Sequence, residues 1–89
     1  MPGNSSALIV LPNPTQSIAK LVFTSENYGA SYHVTIVGIT GKILQTQTGL
    51  TVKGSNTADI DLSNYAAGVY IVRLTEGKKS RTLSVIKAE

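Results

Sequence analysis

Residues 60–74, IDLSNYAAGVYIVRL, contain the end of one predicted strand, a corner and the start of the next strand. Polar side chains alternate with Ile60 and Leu62, which is typical of a strand with one face in solvent. Residues 63–68 are polar or small and predict a turn. Residues 69–74 follow at once, and their run of β-branched and aromatic side chains favours a central strand covered on both faces.

Gly68 and Tyr70 open this second strand with the spacing of a tyrosine corner. In such a corner the ring packs inward and its hydroxyl bonds to backbone a few residues upstream. The acceptor is expected around residues 62–64, and Tyr70 would then close one end of a β-sandwich.

The rest of the chain predicts more strands of the same length. Gly38 interrupts an alternating pattern and predicts a β-bulge, Gly41 predicts a tight turn with positive φ, and residues 76–79 predict a hairpin loop. The pattern indicates an all-β, antiparallel, immunoglobulin-like β-sandwich of about seven strands, with a small barrel as the alternative. The predicted strands are residues 7–11, 18–25, 32–40, 42–50, 52–62, 69–74 and 81–87.

The length of 89 residues allows one domain, assigned to residues 7–89. Residues 1–6 carry no basic and apolar signal-peptide pattern and are interpreted as a linker or leader, so the natural protein is expected to begin further upstream. A hydrophobic content of 42% with 15% charged residues excludes a disordered chain. There is no cysteine, hence no disulfide, and no apolar stretch approaches the roughly 18 residues of a membrane span.

The net charge of +3 comes from the end of the chain. Lys78, Lys79, Arg81 and Lys87 lie in the last twelve residues and form a basic edge without interleaved aromatic residues, which argues against nucleic-acid binding. A phosphate or a lipid headgroup could bind to three of these cations, Lys78, Lys79 and Arg81. A charged hairpin tip and edge strand, which discourage pairing with other chains, explain them better.

Catalytic chemistry has little support. His33 is the only histidine, and Ser25 and Ser31 near it lack the strand–turn–helix context of a nucleophile. His33 is therefore predicted to be a solvent-facing strand residue. We predict no catalytic residue, no cofactor and no enzyme activity.

Two further constellations are weak. Asp59 and Asp61 lie two apart on one strand face and are predicted to face solvent rather than to act as a catalytic pair or as calcium ligands, so no metal site is predicted. An aromatic platform that binds carbohydrate would need Tyr28, Tyr32 and Tyr65 on one surface. These tyrosines are predicted to lie in a turn, a strand and a corner, which does not place them on one surface.

Four motifs occur in an informative order. They are LPNP at residues 11–14, VTIVGITGKIL at 34–44, IDLSNYAAGVYIVRL at 60–74 and GKKSRTLSVIK at 77–87. Together they resemble the C-terminal sorting domain of the type IX secretion system, also called the Por secretion system, of type A. The resemblance covers about residues 8–87.

Two positions depart from the family pattern. Gly38 stands where the family usually has an aspartate, so the resemblance implies that the turn at Gly41 lacks its usual side-chain cap. Ala67 stands where proline is common before the corner glycine. Neither departure lies in the Gly68–Tyr70 element or in the last strand.

The resemblance implies a secretion signal at the end of a larger cargo protein. Such a domain directs its cargo from the periplasm through the outer-membrane translocon of a Gram-negative bacterium, to the cell surface or the medium. A sortase-like cysteine peptidase commonly removes it, and residues 3–6 are the expected place for the cut. The alternative is a non-catalytic fibronectin-like or carbohydrate-binding adhesion module of a secreted protein. The sorting role requires Glu89 to lie at or near the true C-terminus.

The predicted recognition surface is the last hairpin. We expect Gly68 and Tyr70 to set its geometry. Its charge is expected to come from Lys78, Lys79, Arg81 and Lys87.

Overall fold

A computed structural model describes residues 8–88. The linker predicted at residues 1–6, the first residue of the strand predicted at 7–11, and Glu89 lie outside the described residues. Within residues 8–88 the chain forms seven strands and no helix: β1 (Leu8–Leu11), β2 (Ile18–Ser25), β3 (Ser31–Val37), β4 (Ile43–Leu50), β5 (Gly54–Asp61), β6 (Gly68–Glu76) and β7 (Lys79–Lys87).

The strands form two antiparallel sheets whose inner faces share one core. The first sheet has the order β1-β2-β5 and the second β4-β3-β6-β7. Because β5 and β6 are consecutive but lie in different sheets, the chain crosses between the layers at residues 62–67. This arrangement confirms the predicted immunoglobulin-like sandwich and excludes the alternative of a single closed barrel.

The core is built by period-2 alternation, because successive strand side chains point to opposite faces. On β2, Ala19, Leu21 and Phe23 are buried, and the residues between them are more exposed. Tyr32 on β3 closes one end of the core with its ring edge-on to Phe23, at 5.2 Å between centroids. The other buried apolar residues are Val10, Val34, Ile36, Ala58, Ile60, Leu62, Tyr70, Val72, Leu74 and Val85.

The prediction that β6 is covered on both faces is wrong. Tyr70 and Leu74 point into the core, whereas Val69 is 43% exposed and Arg73 also lies on the outer, exposed face. A two-layer sandwich covers each sheet on one side only. The apolar run at residues 69–72 therefore supplies both a core face and an apolar solvent face.

The predicted bulge exists at a different position. The β3–β4 register shifts between Ile36 and Val37, since Ile36 faces Gln45 while Val37 faces Ile43. Leu44 on β4 is therefore the extra residue, and Gly38 lies just beyond the end of β3.

The β3–β4 turn is closed by backbone alone. Gly41 has φ of 90°, as predicted for the turn. Its N–H donates to the Gly38 carbonyl at 2.9 Å, and the Gly38 N–H donates to the Lys42 carbonyl at 2.8 Å. These two bonds hold the turn without an aspartate side chain at position 38.

Side chains of β4 cover the free edge of β5. The Gln45 amide donates to the Asp61 carbonyl at 3.0 Å, and the Gln47 amide donates to the Asp59 carbonyl at 2.7 Å. Both glutamines are half-buried because they bridge the two sheets.

Candidate functional site

The last hairpin, β6–β7, carries all six residues predicted to form the recognition surface. Its register runs from Gly68 opposite Lys87 to Glu76 opposite Lys79. A strand of this length spans about 26 Å. The hairpin therefore has a corner end, with Gly68, Tyr70 and Lys87, and a tip end, with Lys78, Lys79 and Arg81. The six residues do not form one compact site.

At the corner end, Tyr70 is 9% exposed and its hydroxyl donates to the Ala66 carbonyl at 2.5 Å. The tyrosine corner is present, but the acceptor is not within residues 62–64 as predicted. The Leu62 carbonyl accepts from the Tyr65 N–H instead, and the Tyr70 hydroxyl bonds to the carbonyl four residues upstream. Tyr65 packs beside Tyr70 with its ring tilted, at 5.8 Å between centroids.

Lys87 belongs to the same corner. Its ammonium donates to the Tyr65 carbonyl at 2.9 Å, and the residue is half-buried. The bond joins the end of β7 to the loop that precedes β6. The Lys87 ammonium thus already has a hydrogen-bond acceptor within the domain, which distinguishes Lys87 from the cations at the tip.

At the tip end, Glu76 connects the two sheets. Its carboxylate accepts a hydrogen bond from the Ser25 hydroxyl at 2.6 Å and one from the Asn27 amide at 3.1 Å. The Ser25 bond lowers the pKa of Glu76 most, and burial opposes it. The Asn27 bond and the nearby Arg81 and Lys79 charges lower this pKa further. The Glu76 carboxyl therefore stays ionised at pH values below the usual pKa range of a glutamate.

A polar cleft of about 740 Å³ lies between the end of β2 and the hairpin tip. Lys78 and Lys79 are exposed on its rim and Arg81 is half-buried in its wall. The Nη1 atom of Arg81 is buried and has no hydrogen-bond partner within the described residues. The only ion pair found among residues 8–88 joins Lys20 to Asp59, so the three tip cations have no carboxylate within 4.0 Å.

The outer edge of β7 is half covered. The Asn13 side chain accepts from the Ile86 N–H at 3.0 Å and donates to the Ser84 carbonyl at 3.2 Å. The Thr15 N–H donates to the Ile86 carbonyl at 2.8 Å, and the Ala88 N–H donates to the Thr15 carbonyl at 2.7 Å. The LPNP segment at residues 11–14 and the following Thr15 thus cover this edge, which no sequence motif predicted.

The weaker candidates occupy the places predicted for them. His33 is exposed on β3. Asp59 and Asp61 are exposed on β5, where Asp59 pairs with Lys20 at 3.4 Å. Asp61 accepts from the Ser63 hydroxyl at 2.6 Å and from the Ser63 N–H at 2.9 Å, and these bonds lower the pKa of its carboxyl. Both aspartates therefore have structural partners.

The tyrosines do not share a platform. Tyr32 packs on Phe23, Tyr65 packs on Tyr70, and Tyr28 is 83% exposed in the β2–β3 turn. Among residues 8–88 no three histidine or acidic side chains converge in a way that would hold a metal ion. The same range contains no helix long and apolar enough to span a bilayer.

Comparison with protein families gives one match of nearly full length. The model of the secretion system C-terminal sorting domain matches residues 9–88. A search of curated proteins gives no match. The family match confirms the resemblance carried by the four motifs. The chain therefore belongs to the family of secretion system C-terminal sorting domains, the sorting signals of type IX secretion, which take proteins to the surface or exterior of Gram-negative bacteria.

Proposed function

We propose that this chain is the C-terminal sorting signal of a larger cargo protein and that it acts non-catalytically, as a folded surface read by the type IX outer-membrane translocon. The observation that carries the proposal is the family match over residues 9–88. The cargo reaches the translocon from the periplasm and ends on the cell surface or in the medium.

The last hairpin is the proposed recognition element. β7 is an edge strand of the four-stranded sheet, so a partner can reach it without opening the core. Two exposed lysines and the half-buried Arg81 lie at the tip without ion pairs. Gly68, Tyr70 and Lys87 hold the opposite end of the hairpin, which fixes the orientation of the tip.

Removal of the domain after export is a second part of the proposal. A sortase-like cysteine peptidase would cut the chain at residues 3–6, which are small and polar in sequence. That segment precedes β1, so a cut there releases the folded domain whole.

Export of a reporter tests the sorting function directly. Residues 1–89 are fused behind a fluorescent protein that carries a Sec signal, and surface and medium fractions are assayed in a type IX-competent host and in a translocon-deficient mutant. Translocon-dependent export is expected. Retention of a folded, intact fusion in the periplasm of the competent host would refute the proposal and favour an adhesion module.

Two variants test the hairpin. A chain ending before Thr82 loses most of β7 and is expected not to be exported. Because this truncation also removes Val85 from the core, a second variant keeps the fold: Lys78→Gln with Lys79→Gln, which is expected to lower export. The matched control, Lys42→Gln with Lys53→Gln, removes two exposed lysines elsewhere. Equal export of the two double variants would exclude charge recognition at the tip.

A further inference from the structure

We propose that the tip half of β7 is a docking edge for an extended acidic segment of a partner protein, which adds as a further strand beside β7 and places carboxylates against Arg81 and Lys79. The inference rests on the proposed function and names the chemistry of the partner. It depends on the open backbone of residues 80–84 and on the unpaired cations beside it.

The free backbone groups follow from the edge cover. Both the N–H and the C=O of Ile86 bond to residues 13–15, so both point away from β6. Alternate residues of a strand direct these groups to the same side. The backbone groups of Ser80, Thr82 and Ser84 therefore also point outward, and among the described residues only the Ser84 carbonyl has a partner there, the Asn13 amide.

An unpaired row of backbone donors and acceptors is matched best by another extended backbone. The row lies next to the cleft, which Ser80 and Arg81 both line. A partner strand beside residues 80–84 would run along the mouth of this cleft. Its cleft-facing side chains would lie at the cross-strand distance of about 5 Å from those of β7.

The positive charges beside this backbone favour an acidic partner. Arg81 lies on the same face of β7 as the buried Val85, so its guanidinium points toward the cleft, and Lys79 shares that face. Arg81 lines the cleft and has no carboxylate of residues 8–88 within 4.0 Å, so a carboxylate from the partner would supply a charged acceptor for its guanidinium. Glu76 does not fill this role, because its carboxylate, held by Ser25 and Asn27 through Oε2, forms no ion pair with Arg81 within 4.0 Å.

The other sheet edges lack this combination. β1 and β4 contain no charged residue. β5 carries Asp59 and Asp61, and Gln45 and Gln47 cover the outward carbonyls of these two aspartates. The tip half of β7 is thus the edge, within residues 8–88, that joins open backbone to unpaired positive charge. A lipid phosphate would satisfy the charge but would leave the backbone row unpaired, so a peptide fits better.

The test uses the 89-residue chain labelled with ¹⁵N and a short blocked peptide of alternating threonine and glutamate. Two matched peptides replace glutamate by glutamine, or carry N-methyl groups on alternate backbone nitrogens. We expect the acidic peptide to shift the amide signals of Ser80, Thr82 and Ser84. Both matched peptides are expected to bind about tenfold more weakly or worse, since each loses charge-assisted or backbone bonds.

Variants of the domain separate docking from unfolding. Arg81→Gln is expected to weaken the acidic peptide about tenfold, whereas Arg73→Gln, which removes an exposed cation on the outer face of β6, leaves its binding within about twofold. Thr82→Pro deletes an outward N–H and is expected to abolish peptide binding while the unfolding midpoint changes little. Equal binding by the Arg81 and Arg73 variants would overturn the proposal.

Three other results would also overturn it. One is equal binding of the N-methylated peptide and the unmodified acidic peptide, which would mean that charge attraction alone drives binding. Another is binding to vesicles containing phosphatidylglycerol with no peptide binding, which would identify a lipid surface. The third is no binding of the acidic peptide at millimolar concentration. The peptide assay in solution is independent of export, so a chain that is exported but binds no peptide refutes only the docking inference.

Discussion

Replacing Tyr70 by phenylalanine is expected to destabilise the domain by about 1 kcal/mol. The ring is 9% exposed and its contacts in the core are kept, so the change removes only the hydroxyl and its bond to the Ala66 carbonyl. Ala66 itself is exposed, and water can replace the lost donor. The cost therefore lies in the range of a net hydrogen bond, about 0.5–1.5 kcal/mol, rather than that of a buried unsatisfied group.

Urea unfolding followed by circular dichroism measures this loss. With a slope of about 1 kcal/mol/M for a small domain, the midpoint should fall by about 1 M urea. The melting temperature should fall by about 4–8 °C. Tyr28→Phe is the matched control, because Tyr28 is 83% exposed, and its midpoint should not move. Equal midpoints for the Tyr70 variant and the unchanged chain would refute the hydroxyl's role in the corner.

Three further predictions concern other polar contacts. Lys87→Met keeps the aliphatic stem and removes the bond to the Tyr65 carbonyl, so thermal unfolding should show a loss of about 1 kcal/mol. Glu76→Gln should cost at most about 1 kcal/mol at neutral pH, since the group is only half-buried and solvent screens its charge, and urea midpoints should show the difference shrinking as pH falls below 4.5. Asn13→Ala should speed amide hydrogen exchange at Ile86, measured by NMR.

The sign for Glu76 follows from the direction of its shift. Its pKa in the folded state is lowered, so ionisation stabilises the fold above the usual value of 4.5, and that stability is lost as pH falls through the folded-state pKa. A stability difference between the Glu76→Gln variant and the unchanged chain that grows as pH falls would contradict this. Lys78→Met and Gln16→Ala change exposed residues and are the controls for the other two variants. If either control changed its readout as much as the test variant, the assigned contact would be wrong.

Local patterns in the sequence predict the strands well. The bounds of β2 agree with the prediction at both ends, because its alternation is regular and polar turns flank it. The corner before β6 is also predicted, since Gly68 and Tyr70 lie close together in sequence. The β6 faces are predicted wrongly, because a continuous apolar run does not tell a strand buried on both sides from one with an apolar outer face.

The polar contacts that close the sandwich are not predictable in this way. Asn13 contacts β7 across 73 residues of sequence, and Ser25 contacts Glu76 across 51. A single asparagine or serine in the sequence forms no pattern that identifies a distant hydrogen-bond partner. The same holds for Gln45, whose partner carbonyl on β5 is set by the packing of the sheets. These contacts follow from the assembled fold.

The positive charges at the end of the chain form one cluster in sequence and two groups in space. Residues 78–87 read as a single basic edge, but the antiparallel register carries Lys87 to the corner while Lys78 and Lys79 stay at the tip. A change at Lys87 should therefore affect export only as far as it lowers stability. A change at the tip lysines should affect export at unchanged stability. Measuring both quantities for both sets of variants distinguishes a residue that holds the signal in shape from one that a partner contacts.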